Sequence, residues 1–217
     1  HRSGTSFLTG TLQTAGLELG KHSAWNPHNL KGNRENPDIV DLHDRILARC
    51  DAAWDRPPSG SVLWSKEEQQ NAKALISNYP SGTRWGFKDP RALLLVDGWL
   101  DLIPNMRFIG IFRHPLAVSA SLAARGGMPQ QQALQLWEAY NQRLLALHER
   151  TAFPLLCFDE DEEILHDKLN IILPELGLQS LNDERFFSSE LKHHHPEDAT
   201  IPAAQAELYN SLRQRAR

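Results

Sequence analysis

The sequence predicts an α/β fold in which helices flank a central parallel sheet. The strongest β signals are residues 106–112 and 154–158, because each is a short, nearly continuous apolar run rich in β-prone side chains. Segments with helical periodicity separate and surround these runs, and the longest covers residues 129–150. Alternation of strands and helices favours a three-layer arrangement, since each crossover helix packs back onto the sheet.

The first half of the chain predicts four helices and one short strand. The helices are residues 7–15, a helix opened by Pro37, one capped by Ser65 and Glu68 that reaches about residue 77, and residues 91–102. Residues 84–88 predict the strand, and Asp89-Pro90 ends it. Residues 62–64 suit either a short strand or a buried turn.

The second half continues the same alternation. Helices are expected over residues 116–124, 129–150 and 160–176, with a final helix from about residue 202. At 217 residues the chain is long enough for a single domain, 1–217, in which 178–217 is a C-terminal helical and irregular extension.

Composition and charge exclude several classes of protein. A net charge of −4 and a pI near 6.2 argue against nucleic acid or an anionic membrane as partner. No apolar run approaches the roughly 18 residues of a membrane span. Cys50 and Cys157 both lie in apolar settings and are expected to be buried free thiols, which favours a reducing, cytoplasmic location. The sequence carries no signal for an oligomeric state.

The chain opens on a hydroxyl-rich loop, Arg2-Ser3-Gly4-Thr5-Ser6, directly before the first predicted helix. A helix N-terminus offers unpaired backbone N–H groups and a positive dipole end, and Arg2 adds a planar cation suited to phosphate or sulfate oxygens. The loop lacks the Lys that ends the P-loop template. It therefore indicates an anion site, with an ordinary capped helix as the alternative.

A phosphate-binding loop of this kind normally follows a buried strand. No strand precedes His1 in the sequence. We therefore expect the chain to begin inside its domain, with a first strand upstream of residue 1.

Four cations are expected to meet at one edge of the sheet. Arg2, Lys88, Arg91 and Arg113 all belong to polar segments predicted to lie at or near the carboxyl ends of strands, where α/β sheets bind ligands. The alternative for each is an ordinary charge at a strand end. Their convergence in a net-negative protein would indicate a polyanionic ligand.

Two of these segments resemble the sulfotransferases that use 3′-phosphoadenosine 5′-phosphosulfate (PAPS) as donor. The loop Arg2–Ser6 resembles the family's 5′-phosphosulfate loop. Residues 107–121 resemble its 3′-phosphate motif, in which Arg113, Pro115 and Ser121 keep the family's spacing. The likeness covers about residues 1–177 and implies a P-loop-type fold without a required metal. It implies that Arg2, Ser3, Gly4, Thr5, Ser6, Arg113 and Ser121 bind the donor.

A third segment resembles the tyrosylprotein and related bacterial branches of that family. Phe87-Lys88-Asp89-Pro90 is similar to their Lys-Asp-Pro segment, which implies that Lys88 neutralises the leaving oxygen, together with Arg2. Glu35 is placed like the base of the glycan- and tyrosine-modifying branches. Rival bases are His22, His28 and His43. The family's C-terminal Arg-Lys-Gly segment is absent, and Arg125-Gly126-Gly127 is a candidate substitute.

The acceptor is left open by the sequence. A glycan, a lipid-linked sugar and a phenolic metabolite all fit, and Trp25, Trp64 and Trp85 either line an acceptor pocket or belong to the core. Two other functions compete with sulfuryl transfer. One is a nucleotide-dependent kinase, for which Asp89 and Asp159 are the acids placed to hold Mg²⁺. The other is a protein that binds PAPS or its bisphosphate product without catalysis.

The run His193-His194-His195 invites a metal-site interpretation. Consecutive side chains on a regular backbone point in different directions, so a solvated loop is favoured over a ligand cluster. We expect no metal site in this sequence.

Overall fold

The computed structural model describes residues 1–22, 33–181 and 201–217. Over these ranges the chain forms α-helices, one 3₁₀ helix at Pro90–Leu94 and two short strands. The helices are α1 Thr5–Thr14, α2 Pro37–Arg49, α3 Lys66–Ile76, α4 Val96–Leu102, α5 Pro115–Gly126, α6 Gln130–Thr151, α7 Glu162–Glu175 and α8 Ala203–Arg215. The strands are β1 Gly110–Phe112 and β2 Leu155–Cys157.

The chain divides into two compact units. The first unit contains His1–Thr11 and Arg107–Arg217, and the second contains Leu12–Met106. Each unit has buried apolar side chains of its own, and each contains some of the predicted site residues.

The core of the first unit is a parallel pair of strands. Gly110 of β1 is in register with Leu155 of β2, and Phe112 with Cys157. A Cβ on Gly110 would lie 2.5 Å from a Leu155 methyl carbon, so only glycine allows this close approach. The predicted strands 106–112 and 154–158 are thus confirmed in place and direction but are three residues long each.

Two helices, α5 and α6, connect β1 to β2 and pack against each other. Gly127 ends α5 in the left-handed conformation (φ 68°), and its N–H donates to the carbonyl of Ala123. Helix α8 packs against α6 and β2, where Tyr209 and Leu212 are buried. The chain therefore returns to the sheet at its C-terminal end.

The core of the second unit is mainly helical. Helix α2 buries one face through Ile39, Leu42 and Ile46, as its periodicity predicts, and it packs against α3. The predicted capping box at the start of α3 is present in both directions between Ser65 and Glu68.

Two predictions for the second unit need correction. The strand expected at 84–88 is a single parallel bridge between Glu18 and Trp85. The helix expected at 91–102 is a 3₁₀ helix and a separate α4, which meet at Leu95. Of the two alternatives for residues 62–64, the strand is absent: Val62 and Trp64 are buried and Leu63 is exposed.

These elements make a mixed, helix-rich α/β protein with a small parallel sheet in its described part.

Of the two thiols, Cys157 is buried as predicted, whereas Cys50 is exposed because it follows α2 at the helix end. Within the described ranges, none of the helices combines the length and apolarity needed to cross a bilayer.

Candidate functional site

The opening loop has a backbone shape that depends on glycine. Gly4 has φ 83° and Arg2 has φ 58°, both in the left-handed region. A Cβ on Gly4 would lie 2.3 Å from Cδ2 of Phe158, which follows β2. Helix α1 begins at Thr5, so the backbone N–H groups of its first turn have no intrahelical acceptor. Ser3 is buried and donates its hydroxyl to the carbonyl of His1.

The loop is joined directly to the second predicted motif. Nε of Arg2 donates a hydrogen bond of 2.7 Å to Oγ of Ser121 on α5. Two segments that resemble separate phosphate-binding motifs thus lie together within the first unit.

Arg113 lies at the end of β1, as predicted. Its side chain is only 8% exposed, and its guanidinium carbon lies 5.3 Å from the centre of the Phe158 ring. Nε faces Oδ1 of Asp159 at 3.6 Å and makes no hydrogen bond to any described residue. Arg113 is therefore a buried cation whose hydrogen-bonding capacity is left partly unused by its protein neighbours.

Like charges concentrate around this loop. Burial lowers the pKa of Arg2, and the guanidinium groups of Arg125 and Arg113 lower it further. Burial also lowers the pKa of Arg113, although Asp159 opposes that effect. Arginines that repel one another in a partly buried setting are stabilised by a bound anion. The sequence predicts an anion in this region, which is hereafter called the anion site and consists of residues 1–6, Arg113, Ser121 and Arg125.

Asp159 is a member of this region whose structural role sequence reasoning missed. Its Oδ2 accepts hydrogen bonds from the backbone N–H of His114 at 2.6 Å and from the hydroxyl of Tyr209 at 3.1 Å. The sequence placed Asp159 only as a possible Mg²⁺ ligand. Its position directly after a buried strand was the one available signal, whereas the contact with Tyr209 requires the folded chain.

The predicted acid-base residues lie in the second unit and contact each other. Nζ of Lys88 lies 2.6 Å from Oε1 of Glu35 and also donates to the carbonyl of Asn33 at 3.1 Å. The side chains of Lys88 and Glu35 are 12% and 20% exposed. Burial lowers the pKa of Lys88 despite the opposing charge of Glu35. A cation and a carboxylate predicted to act in one reaction therefore form an ion pair.

The carboxylate next to Lys88 belongs to a buried network. Oδ2 of Asp89 lies 2.7 Å from Nδ1 of His43, while Oδ1 accepts from Nη1 of Arg91 at 2.7 Å. The indole N–H of Trp99 donates to Nε2 of His43 at 2.8 Å. Since an indole N–H can only donate, Nε2 is the acceptor and Nδ1 carries the proton. Burial opposes ionisation of Asp89, but the hydrogen bond from His43 and the charge of Arg91 hold its pKa below the usual range.

The contacts of His43, His22 and Arg91 bear on which of them could serve as the base or bind an anion. His43 is fully buried and uses both ring nitrogens, so it has no nitrogen available to act as the rival base. His22 is half-buried, with Nδ1 at 2.8 Å from the carbonyl of Gly20. Arg91 pairs with Asp89 and Asp44. The network that fixes the backbone beside Lys88 was not predicted from the sequence.

The tryptophans divide between core and surface. Trp64 is buried against Trp99, with ring centres 5.2 Å apart, and belongs to the core. Trp85 is half-buried and stacks on Tyr79 at 4.3 Å. Trp25, His28 and His193-His194-His195 lie outside the described residues.

Within the described ranges, no group of three or more His, Cys, Asp or Glu side chains is arranged to hold a metal ion. The chain matches no family model, no curated protein and no solved structure. Functional assignment therefore depends on the geometry of the two units.

Proposed function

We propose that the protein is a PAPS-dependent sulfotransferase, which moves a sulfuryl group from PAPS to a hydroxyl or amine of a glycan or small-molecule acceptor. The observation that carries this proposal is the hydrogen bond between Arg2 and Ser121. It brings the loop that resembles a 5′-phosphosulfate site next to the helix that resembles a 3′-phosphate site. A ligand with two separated phosphate groups is what such a pair of segments would bind.

The residues of the anion site fit a bisphosphate. Arg2, the backbone amides of the loop and the hydroxyls of Thr5 and Ser6 would hold the 5′-phosphosulfate. Arg113 and Ser121 would hold the 3′-phosphate, with Arg125 contributing charge. The lowered pKa of Arg2 beside two other arginines supports this fit, since an anion would relieve their repulsion.

Glu35 and Lys88 have complementary roles in the proposed reaction. Glu35 would take the proton from the acceptor, a contribution that is typically about 10²–10⁴-fold in rate. Lys88 would stabilise negative charge on the leaving oxygen. Lys88 contacts Oε1 of Glu35 at 2.6 Å, so Oε2 would be the oxygen that takes the proton while the pair persists.

A three-layer, P-loop-type fold with the chain as one sulfotransferase-like domain is part of the proposal. Its support is the parallel pairing of β1 and β2 with two helices between them in the chain. That connection is the crossover on which doubly wound sheets are built. A cytoplasmic location is likewise proposed, on the basis of the absence of paired cysteines in the sequence.

The contacts of Asp89 and Asp159, the two candidate Mg²⁺ ligands, argue against the kinase alternative. Asp89 is buried and bound to His43 and Arg91, and Asp159 accepts from His114 and Tyr209 while facing Arg113. A Mg²⁺ ion would have to displace these partners. The non-catalytic alternative would bind the nucleotide through the same residues, but Glu35 and Lys88 would have no catalytic role in it.

The test is isothermal titration with 3′-phosphoadenosine 5′-phosphate, compared with ATP and Mg²⁺. We expect tight binding of the bisphosphate without metal and weak binding of Mg²⁺-ATP. Preference for Mg²⁺-ATP would overturn the proposal in favour of a kinase. Bisphosphate binding with no sulfuryl transfer from PAPS to any of a panel of glycan and phenolic acceptors would favour the non-catalytic alternative.

A further inference from the structure

The C-terminal helix contacts the carboxylate that faces Arg113. Helix α8 is held within the first unit by polar contacts near its start and just after its end. Nε2 of Gln205 donates to Glu138 at 2.6 Å, and the backbone N–H of Arg217 donates to the carbonyl of Leu155 at 3.0 Å. Between these points, Tyr209 and Leu212 are buried. Tyr209 is thereby held at one position relative to β2.

Tyr209 and Arg113 contact opposite ends of one carboxylate. The Tyr209 hydroxyl donates to Oδ2 of Asp159 at 3.1 Å, and the backbone N–H of His114 donates to the same atom at 2.6 Å. The second oxygen, Oδ1, faces Nε of Arg113 at 3.6 Å. The Cys157 thiol also donates to Oδ2, at 3.7 Å. With Oδ2 held by these donors, the direction in which Oδ1 faces the arginine is fixed as well.

We propose that Tyr209 is a positioning residue for the anion site, which acts through Asp159 to orient the guanidinium of Arg113. The inference rests on the proposed function, because it takes Arg113 as the contact for the 3′-phosphate. An acidic partner on the Nε side leaves the terminal nitrogens of the planar group to face a ligand. Affinity for a 3′-phosphate then depends on a hydroxyl located 96 positions further along the chain.

The chemistry of the hydroxyl suits this role. Burial raises the pKa of Tyr209, and the charge of Asp159 raises it further, so the phenol keeps its proton at neutral pH. Its ring packs edge-on against His114, with centres 5.1 Å apart, and against Phe112 at 5.9 Å. Phenylalanine would retain these ring contacts and remove the hydroxyl, with its hydrogen bond to Asp159 and its contact of 3.6 Å with the Cys157 thiol.

The experiment compares two nucleotides in Tyr209→Phe. We expect the Kd for 3′-phosphoadenosine 5′-phosphate to rise about tenfold, the usual effect of losing a hydrogen bond to a charged group. The Kd for adenosine 5′-monophosphate, which lacks the 3′-phosphate, should change less than twofold. A general structural role would weaken both nucleotides equally, and that result would overturn the inference, as would an unchanged Kd for the bisphosphate.

Tyr79→Phe is the matched control, because it removes a hydroxyl of the second unit that donates to the carbonyl of Leu19 at 3.4 Å. It should leave both Kd values unchanged. A double-mutant cycle adds a second measurement: in an Asp159→Asn background, Tyr209→Phe should change the bisphosphate Kd less than twofold, because the neutral amide no longer attracts the guanidinium of Arg113. A full tenfold effect in that background would show that Tyr209 does not act through Asp159.

The failures of the two proposals are distinguishable. If the wild-type protein does not bind the bisphosphate, the proposed function fails and this inference fails with it. If the wild-type protein binds it and Tyr209→Phe binds equally well, only the role of Tyr209 is wrong.

Discussion

Arg2 and Ser121 are 119 positions apart in the chain, yet Nε of Arg2 lies 2.7 Å from Oγ of Ser121. Arg2 holds a left-handed backbone conformation (φ 58°), which is uncommon for a side chain of this size. The contact links the loop before α1 to the second half of α5. It is the structural basis for treating the two segments as one anion site.

Removing the serine hydroxyl should weaken nucleotide binding. In Ser121→Ala we expect the Kd for 3′-phosphoadenosine 5′-phosphate to rise about tenfold, because the hydroxyl orients Arg2 and is itself a proposed phosphate contact. Titration calorimetry measures the change. Ser61→Ala, at an exposed position, is the control and should bind like the wild type. Equal affinity of Ser121→Ala and wild type would remove Ser121 from the site.

Gly4 should not tolerate a side chain. Alanine there would carry a strained φ of 83° and place its Cβ 2.3 Å from Phe158. The strain alone costs about 1–2 kcal/mol, and the clash adds to it. We expect Gly4→Ala to lower the free energy of unfolding by about 2 kcal/mol or more in urea titrations and to weaken bisphosphate binding at least tenfold.

Gly60→Ala is the matched control for this change, since a Cβ at Gly60 would meet no atom within 4 Å. Its stability should equal or slightly exceed that of the wild type. A Gly4→Ala protein with normal stability and affinity would show that the loop does not hold the conformation described.

Substitution of Glu35, which pairs with Lys88, should reduce sulfuryl transfer while leaving nucleotide affinity nearly unchanged. Glu35→Gln should reduce sulfuryl transfer about 10²-fold or more, because an amide cannot accept the acceptor's proton. Its affinity for 3′-phosphoadenosine 5′-phosphate should stay within about threefold of the wild type. Transfer from PAPS and calorimetry on the same preparation measure both quantities. Unchanged turnover would assign the base to another residue, for which His22 is the remaining rival among the described histidines considered.

Asp89 predicts a dependence of stability on acid pH. Its pKa in the folded protein is below the unfolded value of about 4, so its contribution is complete above about pH 4. That contribution is lost as the pH falls through the lower, folded pKa. We expect Asp89→Asn to lower the free energy of unfolding by about 3 kcal/mol at pH 7 and to flatten its decline below pH 4.

Urea titrations between pH 7 and pH 2 test this behaviour. Asp55→Asn, at an exposed position, is the control and should follow the wild-type curve. Parallel curves for the wild type and Asp89→Asn below pH 4 would contradict a stabilising role of the ionised carboxylate in the network with His43 and Arg91.

The sequence could predict those features that depend on neighbouring residues. The capping box of Ser65 and Glu68, the apolar face of α2 and the two parallel strands are local patterns, and each is present in the structure. The strand predicted at 84–88 shows the limit of local patterns. β-prone side chains form a strand only where a partner backbone supplies hydrogen bonds, and here a single bridge to Glu18 forms.

The candidate site was predictable as a set of residue types, but its contacts were not. Arg2, Arg113 and Lys88 were identified by their positions at predicted strand or helix ends, and Glu35 by the resemblance of its segment to the base-bearing segment of the sulfotransferases. The sequence left His43 as a rival base, whereas the folded chain places both of its nitrogens in hydrogen bonds with Asp89 and Trp99. Spacing along a chain cannot show which buried polar groups satisfy one another.

The order of residues thus predicts an α/β alternation, a candidate anion-binding loop before a helix and a set of basic residues suited to a polyanion. The folded chain adds three contacts that this order could not predict: Arg2 with Ser121, Glu35 with Lys88, and Tyr209 on α8 with Asp159. Local elements follow from periodicity and capping over a few residues. Contacts across 50 to about 120 positions follow from burial of side chains on different elements, which the order of residues alone does not specify.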